Sequence, residues 1–142
     1  MSKQEQNPTP TLAANYFDIR AVSPLEMAFV GDAVYELLVR KHLVQTCGKT
    51  VGAHNAQKVA LVRCEFQSKA AKALVADFLT EDEITVFKRG RNAATNTVPK
   101  NSTVADYHNA TGLECLFGYL ELTAQFERMT EIFEFVLGKF LK

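Results

Sequence analysis

Apolar residues recur in this chain at three- and four-residue spacing over most of its length, the period of helices that pack by one face. The first such stretch opens at Ser23-Pro24-Leu25-Glu26, which combines an N-cap serine, a proline at the first helical position and a glutamate three residues after the cap. It predicts a helix running to about Val44. A glycine-bearing connection around Gly48 and Gly52 follows. One long helical stretch then spans about residues 54–79, with Val59, Val62, Phe66, Ala70, Ala73 and Leu74 on its apolar face. Thr80-Glu81-Asp82-Glu83 repeats the capping box and starts a short helix that carries Ile84 and Phe87 and closes at Gly90. Residues 92–99, rich in Asn and Thr, read as a polar loop.

Asn101 or Ser102 can cap the next helix, which carries Val104, Tyr107 and Ala110, and the apolar pattern continues through Leu113, Leu116, Phe117 and Leu120. A final amphipathic helix covers about residues 125–141, where the Phe-rich stripe is either core or a surface for a second copy. No strand alternation and no internal repeat interrupts this series. The expected fold is therefore all-α, a single helical bundle domain.

A chain of 142 residues has room for one core, and a domain of about this length buries roughly two-thirds of its unfolded surface. The polar start with Pro8 and Pro10 predicts a flexible leader over residues 1–20, ahead of a domain over residues 21–142. No apolar run reaches membrane-spanning length, so a cytoplasmic protein that neither spans a membrane nor is exported is expected. Cys47, Cys64 and Cys115 are widely spaced and form no Cys-x-x-Cys pair, which fits reduced thiols rather than a zinc site.

Basic and acidic residues balance at sixteen each, so bulk charge points to no nucleic-acid partner. Local charge does: between Glu83 and Asp106 there is no acidic residue, while Lys88, Arg89, Arg91 and Lys100 fall there. Such a segment is either a solvated loop or a focused positive surface.

Two carboxylates stand out against this background. Asp32 lies within Phe29-Val30-Gly31-Asp32-Ala33-Val34-Tyr35, and Glu114 lies within an apolar run between Thr111 and Gly118. At helical spacing Asp32 shares a face with Leu25, Ala28, Phe29, Tyr35 and Glu36, on or beside the packed side. A carboxylate removed from water needs a partner, so Asp32 either pairs with an arginine or caps a helix, or it holds a metal. Gly31 costs roughly 1 kcal/mol of helix propensity against alanine, which a close approach by another helix or by a ligand would explain. Two such carboxylates from different helices can share a divalent cation. With no histidine or cysteine in the motifs, magnesium or manganese is favoured over zinc.

Read together, these motifs resemble the ribonuclease III family. Phe29-Val30-Gly31-Asp32-Ala33-Val34 looks like its signature helix and Glu114-Cys115-Leu116-Phe117-Gly118 like its second acidic helix. Lys88-Arg89-Gly90-Arg91-Asn92-Ala93, followed by Pro99-Lys100-Asn101, is similar to the short branch of that family that lacks a C-terminal double-stranded-RNA-binding domain. The resemblance covers about residues 24–140 and makes residues 21–142 a ribonuclease III-like catalytic domain.

The resemblance implies a magnesium-dependent endoribonuclease that hydrolyses phosphodiester bonds in double-stranded RNA. It implies a homodimer and a substrate in precursor 23S ribosomal RNA, with ribosomal proteins as further partners. Asp32 and Glu114 are then the metal ligands and Thr111 orients a water, so that all three are catalytic. Lys88, Arg89, Arg91 and Lys100 contact phosphates, with Asn92 and Asn101 bonding to backbone or 2′-hydroxyl groups, because RNA duplexes are read by shape and such contacts. Where larger relatives carry further acidic residues, this chain has Leu25, Ala28 and Thr111, which favours one ion with mostly water ligands over a rigid two-ion clamp. Two other classes compete: a non-catalytic ribonuclease III-like assembly factor that binds ribosomal RNA, and a helical bundle that binds only proteins.

Overall fold

The computed structural model describes residues 18–47 and 50–141, and the expected leader's residues 1–17 and the connection at residues 48–49 lie outside them. Among the described residues, six helices follow a short 3-10 turn over Ile19–Ala21: α1 (Pro24–Cys47), α2 (Val51–Val62), α3 (Cys64–Asp77), α4 (Glu81–Ala93), α5 (Val104–Leu122) and α6 (Phe126–Phe140). There is no strand among the described residues, and no helix there is long and apolar enough to cross a membrane. The fold is all-α, as the apolar period requires.

Both capping boxes form. Glu26 N donates to Ser23 Oγ at 3.1 Å while Ser23 N donates to Glu26 Oε1 at 2.8 Å. At the start of α4, Thr80 and Glu83 make the same exchange at 2.9 and 3.2 Å. Glu83 is also buried against Arg128 of α6, whose guanidinium reaches both carboxylate oxygens at 2.8 and 2.9 Å and the Phe78 carbonyl at 3.0 Å. One glutamate therefore caps α4 and ties it to α6.

Three boundaries differ from expectation. The long stretch over residues 54–79 is two helices, broken at Arg63, whose extended backbone (ψ 150°) ends α2 and begins α3. No proline or glycine marks the break. It is held from a distance, because the last carbonyls of α2 are satisfied by side chains: Tyr35 Oη donates to Leu61 O at 2.8 Å and Gln67 Nε2 to Val62 O at 2.9 Å. Gly90 does not end α4, which runs on to Ala93; it is buried, and a Cβ there would meet the Cys115 side chain. The cap of α5 is Thr103, accepting from Asp106 N at 3.0 Å, rather than Asn101 or Ser102.

α5 is the central helix. Ala110 to Gly118 is buried apart from Glu114, and α1, α3, α4 and α6 all pack around it. The core joins Tyr35 and Val39 of α1, Leu74 of α3, Leu113, Leu116, Phe117 and Leu120 of α5, and Ile132 and Val136 of α6. Met129, Ile132, Phe133, Val136 and Leu137 of the C-terminal stripe are buried in the core, whereas Phe126 at its start is exposed, and α1 also leaves apolar side chains open at Leu25, Phe29 and Leu37.

Candidate active site

Helices α1 and α5 cross at a pair of glycines. A Cβ on Gly31 would fall on the backbone carbonyl of Glu114, and one on Gly118 would fall on the carbonyl of Met27. In each helix the glycine stands four residues after the carbonyl that its partner meets, so the approach is reciprocal. Only the missing side chains allow it. The close neighbour that Gly31 called for is a helix, and its consequence is chemical: Asp32 follows Gly31 directly, and the crossing brings it to Glu114.

The two carboxylates are not equivalent. Asp32 is exposed, while Glu114 is partly buried. Burial, followed by the charge of Asp32, pushes the Glu114 carboxyl up to about 8, and the Gln67 amide opposes this by bonding to the charged form. Tyr35, 1% exposed, is raised as well, by burial first and then by the Glu114 charge. A pair that resists carrying two negative charges is an arrangement that a cation relieves.

Asp32 is not enclosed in the way its apolar neighbours suggested. Of the residues on its face, Ala28 and Tyr35 are buried, but Leu25 is 43% and Phe29 83% exposed. With Ala33 and Leu37 these form one exposed stripe at four-residue spacing, and Asp32 lines the groove beside Phe29, Ala33 and Leu37.

The residues fit a hard divalent cation. Among the described residues no group of three or more His, Cys, Asp or Glu could hold a metal, and the carboxylates brought together here are those of Asp32 and Glu114. Magnesium is commonly bound by one or two carboxylates while keeping several waters. Beside Glu114, Gln67 is 2% exposed and its Oε1 has no partner, an acceptor suited to such a water. Sequence reasoning missed Gln67. Its one signal was a glutamine on the apolar face of a helical stretch.

Thr111 stands one turn before Glu114, 6% exposed, with its hydroxyl donating to the Tyr107 carbonyl at 3.0 Å. Its oxygen retains acceptor capacity only. Lys88 and Arg89 are exposed on α4. Arg91 is half-buried, with its guanidinium 5.8 Å from the Phe87 ring centroid and its Nε donating to Asn92 Oδ1 at 3.3 Å. Lys100 and Asn101 are exposed in the following loop, where Asn101 has φ 69°, a conformation in which asparagine is enriched for reasons of backbone alone. His108 bonds to the Thr95 carbonyl at 2.9 Å and anchors that loop to α5.

Gly90 seats this basic end of α4 against Gly112 and Cys115. The α5 segment that meets α1 through Glu114 therefore meets α4 through its neighbours. Burial pushes the Cys115 thiol up to about 11, and its Sγ faces the Val86 carbonyl at 3.6 Å, so it packs rather than reacts.

The sequence profile of the ribonuclease III domain matches residues 25–125, and the chain belongs to the ribonuclease III family. Its relatives narrow this to the Mini-ribonuclease 3 branch. The Mini-ribonuclease 3 of Clostridium tetani is 38% identical over 122 residues, covering 85% of this chain and 80% of that protein. That of a Thermoanaerobacter species is 40% identical over 116 residues, covering 82% and 81%. A crystal structure of a Fusobacterium nucleatum protein aligns with a TM-score of 0.77 at 34% identity, over 86% of this chain and 98% of that one.

Proposed function

We propose that this ribonuclease III-family endoribonuclease is magnesium-dependent and hydrolyses phosphodiester bonds in double-stranded RNA. Its substrate is precursor 23S ribosomal RNA, whose ends it matures in the cytoplasm during large-subunit biogenesis. The observation that carries the reading is the placing of Asp32 beside Glu114, with the basic end of α4 on the other flank of the same α5 segment. The family resemblance supports the substrate.

When bound, magnesium supplies Lewis acidity at the phosphate and lowers the pKa of water. The chain does the rest. Asp32 from α1 and Glu114 from α5 hold the ion from two helices, manganese being an alternative with the same oxygen preference. Thr111 accepts a hydrogen bond from a nearby water and so orients it. Lys88, Arg89, Arg91 and Lys100 contact phosphates, and Asn92 and Asn101 contact backbone or 2′-hydroxyl groups. A binding-only assembly factor would gain nothing from burying Glu114 beside another carboxylate, an arrangement that costs stability. The test is incubation of a long RNA duplex and of its separated strands with magnesium or with chelator. Fragments from the duplex in magnesium alone support the reading, whereas equal cutting of single strands removes duplex specificity.

The protein acts as a homodimer, with ribosomal proteins assisting at the substrate. The exposed stripe of Leu25, Phe29, Ala33 and Leu37 is the surface a second copy would cover, since monomers rarely leave such patches open. Phe29→Lys is expected to convert the dimer to monomer in light scattering while leaving helical content unchanged. A variant that stays dimeric places the interface elsewhere.

A further inference from the structure

The loop over residues 94–103 joins α4 to α5 and carries Lys100 and Asn101, whereas Lys88, Arg89, Arg91 and Asn92 stand on α4 itself. The groups proposed to contact RNA are thus divided between a helix and a loop. A helix fixes the spacing of its own side chains, but a loop keeps a set distance from it only where something pins the loop down. Thr95, Asn96, Thr97, Lys100 and Asn101 are all exposed, so packing of these side chains against the core does not supply the pin.

Hydrogen bonds supply it. Ser102 N donates to Pro99 O at 3.2 Å and Asn101 has φ 69°, which makes Lys100 and Asn101 the central pair of a tight turn with a left-handed third position. Thr103, just beyond that turn, caps α5. On the α4 side the attachment is of another kind. Among the described residues, the one hydrogen bond that joins residues 95–98 to the rest of the chain runs between His108 Nε2 and the Thr95 carbonyl, at 2.9 Å. A carbonyl oxygen only accepts, so Nε2 is the donor. His108 lies on α5 one turn before Thr111, and the helix that carries Glu114 therefore holds the loop near both of its ends.

We propose that His108 is a positioning residue for RNA binding: its bond to Thr95 fixes the course of the loop, so that Lys100 and Asn101 stand at a set spacing from Arg91 and Asn92. The inference rests on the assignment of these four side chains as RNA contacts. A loop already in its binding conformation loses less freedom when a duplex arrives. Apparent affinity falls by the fraction of molecules in which the loop is correctly placed.

Fluorescence anisotropy of a labelled RNA duplex, titrated with the purified full chain in chelator, tests it in wild type, His108→Ala, His108→Gln, Lys100→Ala, the double variant His108→Ala/Lys100→Ala, and Ser68→Ala. His108→Ala is expected to weaken binding by roughly two- to tenfold, the range set by the net worth of one hydrogen bond. His108→Gln puts an amide N–H within reach of the same carbonyl and should recover most of that loss. His108→Met fills the space without a donor and serves if the alanine variant does not fold. In the Lys100→Ala background the effect of His108→Ala should shrink, because a group that acts through another is not additive with it. Ser68→Ala removes the bond that Asn109, the neighbour of His108, donates to α3 at 3.0 Å. It is expected to lower the melting temperature with unchanged affinity.

Folded His108→Ala that binds the duplex as wild type does, while Lys100→Ala binds it more weakly, overturns the role of His108 alone. If glutamine gives no recovery, or if the effects of His108→Ala and Lys100→Ala simply add, the imidazole acts by a route other than the loop and the proposal fails. It fails also if Ser68→Ala weakens binding as much as His108→Ala, since the effect is then a general loosening of α5. If Lys100→Ala binds normally, the loop is not part of the RNA surface and the proposal falls with that assignment.

Discussion

Glu114→Gln is expected to make the metal-free protein more stable and to remove its activity. The Glu114 carboxyl has a folded-state pKa of about 8 against an ordinary value of 4.5. The folded state therefore binds this proton more tightly than the unfolded state, and stability falls with rising pH wherever their proton counts differ. Below about pH 4.5 the burial of Glu114 carries no charge penalty; the penalty grows through the interval and is complete above about pH 8. Glutamine has the same shape and cannot ionise. A rise of roughly several degrees in melting temperature at pH 8–9, with a flatter pH profile than wild type, is the expected outcome. Magnesium should narrow the difference by stabilising the wild type alone, since an ion that binds only the folded state adds to its stability. Thermal melts from pH 5 to 9, with and without magnesium, check this. A wild-type profile that falls no more steeply than that of Glu114→Gln would contradict the burial of a reluctant charge.

Gly31→Ala has the largest expected effect on the fold. In an open helix the change favours stability by about 1 kcal/mol. Here the added methyl would occupy the position of the Glu114 carbonyl, which belongs to the backbone and cannot rotate aside. The helices must separate, and overpacking of this kind costs roughly 1–3 kcal/mol or somewhat more. Separation also moves Asp32 away from Glu114, and a displacement of about 1 Å in a catalytic constellation can cost on the order of a hundredfold in rate. Gly138→Ala is the control, because nothing lies within 4 Å of a Cβ at that position of α6. It should stabilise the protein by about the helix-propensity difference of roughly 1 kcal/mol. Urea denaturation of both variants gives the comparison, and equal stability of the two would mean that the crossing is looser than described.

The parts of this fold legible in the sequence are those decided locally or by period. The capping boxes at Ser23 and Thr80 depend on residues three apart, and both form as read. Asp32 and Glu114 stood out because each interrupts an apolar run beside a glycine, and the reason for Gly31 is the backbone of α5. The break at Arg63 left no local mark, since a 3.6-residue period continues across it and its capping comes from Tyr35 and Gln67. Gly90 was ambiguous in kind: the missing Cβ that suits a helix end also suits a close contact, and here the contact with Cys115 decides. The apolar residues of α1 could not be divided by period into core and surface. Tyr35 and Phe29 read alike in sequence, yet one is 1% and the other 83% exposed. Gln67 was invisible as a site residue because its role depends on α3 packing against α5.

Asp32 and Glu114, joined by the glycine crossing, are proposed to carry the chemistry. Single-turnover cleavage of a long RNA duplex in magnesium tests this most directly, comparing wild type with Asp32→Asn and Glu114→Gln after circular dichroism and light scattering have shown all three to be folded and in the same oligomeric state. Loss of a metal ligand removes several kcal/mol of transition-state stabilisation, so each variant is predicted to cut roughly a thousandfold more slowly or worse. Folded variants that cut the duplex as fast as wild type would contradict the account.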